Sequence, residues 1–188
     1  MKEYNIKILI LNYNGKKLLK TCLDSVESVE YPNYTTILID NHSNDGSVEY
    51  VKSEYPNIEV IQTGKNLMYA GGYNYFFNMN PDDDCYYMIL NNDAIVDKNI
   101  LNDFIQGVSQ YGEDNIYGPK IMLAEQKNKI WYGGSKVELN KGIIRHLNIR
   151  EDENNVDLKD SITDYVTGCC LFVHSKIVKR LKGFDENF

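Results

Sequence analysis

Cysteine is scarce in this sequence and badly arranged for either a disulfide scaffold or a metal knuckle. Four are present in 188 residues: Cys22, Cys85 and the adjacent pair Cys169 and Cys170. No Cys-x-x-Cys pair occurs, so free thiols in a reducing compartment are expected. Long apolar runs are missing too. The longest early one ends at the polar Asn12, too short for a bilayer span or for the apolar core of a signal peptide. Positive charge is in deficit. The formal net charge is −7, which argues against a nucleic-acid partner because phosphate binding needs a basic face. No internal repeat and no low-complexity tract interrupts the chain. The glycine-rich stretch around Gly71 has neither the Walker spacing nor the Gly-x-Gly-x-x-Gly fingerprint.

What remains is an ordinary globular composition, 43% hydrophobic and 25% charged, long enough for one domain with a real core. Short apolar runs alternate with helical patterns. Strands are expected at 6–11, 34–39, 58–62, 86–90 and 117–123. Helices are expected at 15–29, 47–55, 71–79 and 99–111. In the first helix Leu18, Leu19, Cys22, Leu23 and Val26 recur at helical spacing. Such strand–helix–strand units imply an α/β fold: a mostly parallel sheet flanked by helices. The second half is less regular. It offers a strand or hairpin arm at 142–150, an acidic and mobile loop at 151–160, an apolar segment at 165–173, and a short helix at 175–181 closed by Gly183.

In an open parallel sheet, ligands bind beyond the carboxyl ends of the strands. The segments there are 12–14, 40–47, 63–72 and 91–93, all dense in Asn, Asp and Gly. This rule separates two acidic clusters that lie close together. Asp82, Asp83 and Asp84 precede their strand, at the wrong end of the sheet, and read as a solvated cap. Asn91, Asn92 and Asp93 follow the same strand. An acid there can hold a divalent cation whose other ligands are phosphate oxygens and water. Asp40 ends a buried strand and is placed to accept hydrogen bonds from a nucleobase or ribose. Lys65 and the backbone amides of its loop could face phosphates.

Taken in order, ILILNYNGKKLLKTCLDSV, YTTILIDNHSNDGSVEYV, KNLMYAGGYN, YYMILNNDAIV, YGPKI, YVTGCCLFVHSKIV and KGFDENF resemble the family 2 glycosyltransferases of the GT-A fold. The similarity is greatest to the bacterial rhamnosyltransferase-like branch and covers nearly the whole chain. It implies a single GT-A domain, with a donor-binding half over about 1–123 and an acceptor-side part over about 124–188 that is incomplete at its C-terminus. It implies inverting transfer of a sugar from a dTDP- or UDP-linked donor to a hydroxyl of a glycan or lipid-linked acceptor. The expected setting is cell-surface polysaccharide synthesis, in the cytoplasm, with the full-length protein peripherally associated with the inner face of the membrane.

Residue by residue, the resemblance places Asn12, Asn14, Asp40, Asn66, Gly71, Gly72, Asn74, Asn91 and Asn92 around the nucleotide sugar. Asp93 becomes the ligand of Mg2+ or Mn2+. Trp131, Tyr132, Asp164, Thr167 and Gly168 fall on the acceptor side. Asn91 stands where many relatives carry Asp. The family's catalytic base lies in an acidic pair shortly after the segment resembling 183–188, so the base is expected beyond Phe188 and the chain reads as a fragment. Two other classes compete with this reading. One is a catalytically inert nucleotide-sugar-binding or assembly module, separable by nucleotide binding. The other is a sugar nucleotidyltransferase, whose glycine- and arginine-rich phosphate loop is not supplied by Asn12-Tyr13-Asn14-Gly15-Lys16.

Overall fold

A computed structural model describes residues 3–81 and 83–187. The alternation read from the sequence becomes β1 (Ile6–Asn12), α1 (Lys16–Glu27), β2 (Tyr34–Asp40), α2 (Ser47–Glu54), β3 (Glu59–Gln62), α3 (Met68–Met79), β4 (Tyr86–Asn91) and α4 (Ile100–Tyr111). Then come the short strands β5 (Ile116–Tyr117), β6 (Ile121–Met122), β7 (Ile130–Tyr132), β8 (Ser135–Glu138) and β9 (Ile143–His146). The last two elements are β10 (Cys170–His174) and α5 (Ser175–Leu181).

The main sheet has the order β3-β2-β1-β4-β10-β5. Its first four strands are parallel; β10 runs antiparallel to β4, and β5 antiparallel to β10. This is the expected α/β architecture with a mostly parallel sheet. Because side chains alternate across a strand, Ile6, Ile8 and Ile10 of β1 enter one core layer and Leu9 enters the other. The first layer is closed by α1 through Leu19, Cys22, Leu23 and Val26, and by α4 through Leu101, Phe104, Ile105 and Val108. Leu18, counted into the helical stripe from sequence, points outward. The second layer is closed by Tyr73 and Phe76 of α3 and Ile177 of α5.

Several expectations are corrected. The strand expected over 117–123 is two short pieces in different sheets, separated by Gly118, Pro119 and Lys120. Proline lacks the N–H a continuous ladder needs. The beginning of the expected mobile loop at 151–160 is tied down. Asp152 bridges to Lys129 and caps a 3-10 turn at Glu153–Asn155, and Glu153 pairs with Lys120 at 2.5 Å. Asp83 is not a solvated cap. It is half-buried, accepts both a 2.7 Å ion pair from Lys7 and a 2.8 Å bond from the Tyr87 hydroxyl, and so helps hold the amino end of β4. Asp84 keeps to the surface beside Lys176. Asp82 lies outside the described residues. All four cysteines are free, as expected.

Candidate donor site at the carboxyl edge of the sheet

Parallel register brings the key strand ends level. Asn12 pairs with Asp40 across β1 and β2, and Asn91 lies opposite Leu11 across β1 and β4. Asn12 and Asp40 are both fully buried. The Asp40 carboxylate accepts the Ser43 N–H at 3.0 Å and the Asn12 amide at 3.4 Å. The Asn12 amide also reaches Ser43 Oγ at 3.2 Å, and its carbonyl oxygen accepts from Asn92 Nδ2 at 2.8 Å. A chain of polar side chains thus runs under the loops from β2 through β1 to β4. Asn12 and Asp40 form the floor of this edge, while Tyr13 and Asn14 are exposed above it. The Asn12–Asn92 bond explains Gly15. A Cβ there would fall 2.3 Å from Asn92 Nδ2 and 2.5 Å from Asn12 Oδ1.

The loops after the first three strands each hold one non-glycine residue in the left-handed region: Asn14 at φ 51°, His42 at φ 69° and Met68 at φ 59°. Asn visits that region at modest cost, but Met does so only when its surroundings force it. The forcing groups are visible. Asn14 Oδ1 accepts the Asn44 N–H at 2.8 Å, and its own N–H donates to Ser43 Oγ at 2.9 Å. Buried Asn41 donates to Met68 O and to Asn66 Oδ1 and accepts from the Leu67 N–H, all at 2.9 Å. Asn66 Oδ1 also accepts from the Met68 N–H. Lys65 is exposed on this loop.

Asn91, Asn92 and Asp93 turn the chain away from β4. Asp93 is exposed and has no ion-pair partner among the described residues. Its negative charge is felt nearby. Burial first, then Asp93, pushes the Cys22 thiol up to about 12 and raises that of Cys169. No group of three His, Cys, Asp or Glu side chains able to hold a metal occurs among the described residues. One unpaired carboxylate flanked by Asn amides does fit a hard cation held mainly by phosphate and water.

The remaining residues of the expected site divide into two groups. Gly72 and Gly71 make close packing contacts, and Asn74 makes hydrogen bonds within the chain. A Cβ on Gly72 would fall 2.5 Å from Leu11 Cδ1, so its absence lets α3 sit close on β1. Gly71 faces Leu67 and the Glu186 carboxylate. Asn74 latches the end of the described chain: Nδ2 donates to Phe184 O and Glu186 Oε1, and Oδ1 accepts the Phe184 N–H, each at 2.8 Å. Of the residues expected on the acceptor side, Gly168 lies beside this carboxyl edge, where the Tyr69 hydroxyl donates to Gly168 O at 2.8 Å. Thr167 Oγ1 accepts from the Cys169 N–H, and Cys169 O in turn accepts the Asn91 N–H at 2.9 Å. Trp131, Tyr132 and Asp164, also expected there, lie in the hairpin region. Trp131 and Tyr132 pack edge-on against His146. Asp164 accepts from the Val137 N–H and pairs with Lys136, which holds its carboxyl below the usual range.

Sequence reasoning passed over Ser43, Asn41 and Tyr69 as parts of this site. Ser43 had a readable signal, since an Asp followed three residues later by Ser at a strand end suits an Asx-type turn. Asn41 and Tyr69 act across 26 and 99 residues of chain and left no local trace.

The fold defines an α/β domain with a mostly parallel sheet, and the comparisons narrow it. The profile described as Glycosyl transferase family 2 matches residues 7–181, and the chain belongs to that family. None of the curated proteins matches it. Among solved structures, a mannosyltransferase from Pyrobaculum calidifontis in complex with GDP-Man and Mn2+ is similar over 100% of this chain and 49% of its own, at 14% identity and a TM-score of 0.67. S. aureus TarS 1-349 in complex with UDP is similar over 97% of this chain and 51% of its own, at 15% identity and a TM-score of 0.67. GalNAc-T7 with UDP, GalNAc and Mn2+ is similar over 98% of this chain and 37% of its own, at 14% identity and a TM-score of 0.74. The chain therefore spans about half, or less, of the length of these structures, and the shared feature is the GT-A fold.

Proposed function

We propose that this domain binds a nucleoside-diphosphate sugar, dTDP- or UDP-linked, through the carboxyl edge of β1, β2 and β4. The reaction it serves is inverting transfer to a hydroxyl of a glycan or lipid-linked acceptor in cell-surface polysaccharide synthesis. The observation that carries the reading is the polar chain Asp40–Asn12–Asn92, which ends at exposed, unpaired Asp93 where the sheet presents ligands. Family membership supports the reaction class, and complexes of similar folds with nucleotides and Mn2+ support the ligand class.

Each residue's part follows from its position. Asn12 and Asp40 hold the floor rigid, so that the exposed Tyr13 face and Asn14 amide meet the base and ribose in a fixed arrangement. The Asp40 charge draws ribose or base donors toward that floor. Asn66 and Lys65 stand over the same edge from the β3 side, with Lys65 placed for phosphate. Asp93, flanked by Asn91 and Asn92, would hold Mg2+ or Mn2+ against the diphosphate. When bound, that cation supplies Lewis-acid stabilisation of the leaving diphosphate. Thr167 and Gly168, tied to α3 and β4, set the acceptor side of the gap.

Calorimetry with UDP and dTDP, each with and without Mn2+, tests this. The expectation is binding that strengthens with Mn2+ and loses that dependence in Asp93→Ala. Absence of nucleotide binding in either condition would favour an inert assembly module.

A further inference from the structure

The β8–β9 hairpin is anchored at its root and bare at its tip. At the root, Ser135 is buried; its N–H donates to Thr163 Oγ1 at 2.5 Å and its hydroxyl to Tyr165 O at 2.7 Å. Asp164 holds Val137, and His146 packs between Trp131 and Tyr132. At the tip, a 3-10 turn over Leu139–Lys141 closes on left-handed Gly142. There Leu139 is 88% exposed and Ile144 69%, and Ile143 is exposed too. A rigid strand pair thus holds bulky apolar side chains in water, although singly exposed ones would need no explanation.

The charge around that tip is opposite to the rest of the chain. At the tip Lys141 and Arg145 stand against the single acid Glu138, in a chain of net charge −7. Lys141 and Arg145 share Glu138 at 2.6 and 3.3 Å, which leaves their pair with a positive surplus. At the root the charges balance: Lys136 pairs with Asp164, Asp152 lies 3.6 Å from Lys129, Glu153 pairs with Lys120, and exposed Glu151 adjoins Arg150. An acidic surface is repelled by the molecule at large and attracted here.

We infer that the tip of the β8–β9 hairpin is a docking surface for an anionic lipid bilayer, with Leu139, Ile143 and Ile144 entering the headgroup boundary and Lys141 and Arg145 lying against anionic headgroups. Apolar tips combined with a basic rim give such interfacial binding, and it weakens with salt. A second copy of this chain is a poorer occupant, because a self-complementary contact would set the same cations against each other. The inference does not depend on the donor site.

Flotation with vesicles of phosphatidylglycerol in phosphatidylcholine, against phosphatidylcholine alone, reads this out. The unaltered protein should float with the anionic vesicles and stay behind with the neutral ones, and added salt should release it. Leu139→Ser with Ile144→Ser, and separately Lys141→Glu with Arg145→Glu, should each lower the partition about tenfold or more. Melting temperature and nucleotide affinity should stay unchanged, which separates lost docking from lost folding. The inference is overturned by failure of the unaltered protein to bind anionic vesicles, or by equal binding of both variants. It is also overturned by a concentration-dependent dimer that the same substitutions dissolve without any vesicle binding.

Discussion

Met68 holds a left-handed backbone at the start of α3 because Asn41 and Asn66 fix both of its peptide groups. Its side chain is 72% exposed, so little packing is lost when it is removed. Met68→Gly should therefore raise stability by about 1 kcal/mol, read as a higher urea midpoint with unchanged slope. Asp83→Ala should do the opposite. It strands half-buried Lys7 and the Tyr87 hydroxyl and should cost about 1–3 kcal/mol, while Mn2+-dependent nucleotide binding stays intact. That contrast with Asp93→Ala separates the two acidic clusters by experiment. Thiols and carboxyls also set the pH limits. Burial, reinforced by Asp83, pushes Cys85 up to about 12, so its contribution is complete below the unfolded value near ~8.5 and is lost as pH rises toward about 12. Cys85→Ala should flatten the alkaline fall in the urea midpoint. Asp152 and Asp164 are held low by backbone and side-chain donors, so their contribution is complete above about pH 4 and disappears as acid carries the pH through their folded values.

At the scale of elements, α3 joins distant parts of the chain. Tyr69 at its start grips Gly168, and Asn74 in its middle grips Phe184 and Glu186. The glycines opposite are fitted to those grips. A Cβ on Gly168 would meet the Tyr69 hydroxyl at 2.7 Å, and one on Gly183, at φ +79°, would meet Asn74 Oδ1 at 2.2 Å. Asn74→Ala should cost about 1–3 kcal/mol and leave nucleotide affinity within about twofold, because its amide is spent on the chain itself. A larger loss of affinity with full stability would return Asn74 to the donor pocket where the family resemblance put it. The helix itself was legible from its spacing. Its start at Met68 rather than Gly71 was not, since the Asn41 side chain that organises that turn comes from another strand.

Over the whole molecule, the order of strands and helices through α4 could be read from the sequence. Each of those elements buries a face whose period, two or about 3.6, is written locally in its apolar residues. The same reading put the expected ligand edge at the carboxyl ends of the strands, because parallel strands joined by helices all present those ends together. It also singled out Asp93, through position along a strand rather than richness in acid. Tertiary structure alone decided what the polar residues at that edge do. Asn12 and Asp40 went under the surface, Gly72 came into close contact with Leu11, Asn74 made hydrogen bonds within the chain, and Asn92 became the partner of Asn12 across 80 residues of chain. It also decided the second half, where the short strands β5 to β9 carry too few residues to show a period: β5 owes its place to β10 far along the chain, while β6 with β7 and β8 with β9 close into local pairs outside the main sheet. Periodicity records which face of an element meets the core. Which buried amide meets which carbonyl depends on how separate elements are stacked, and the stacking exists only in the folded chain.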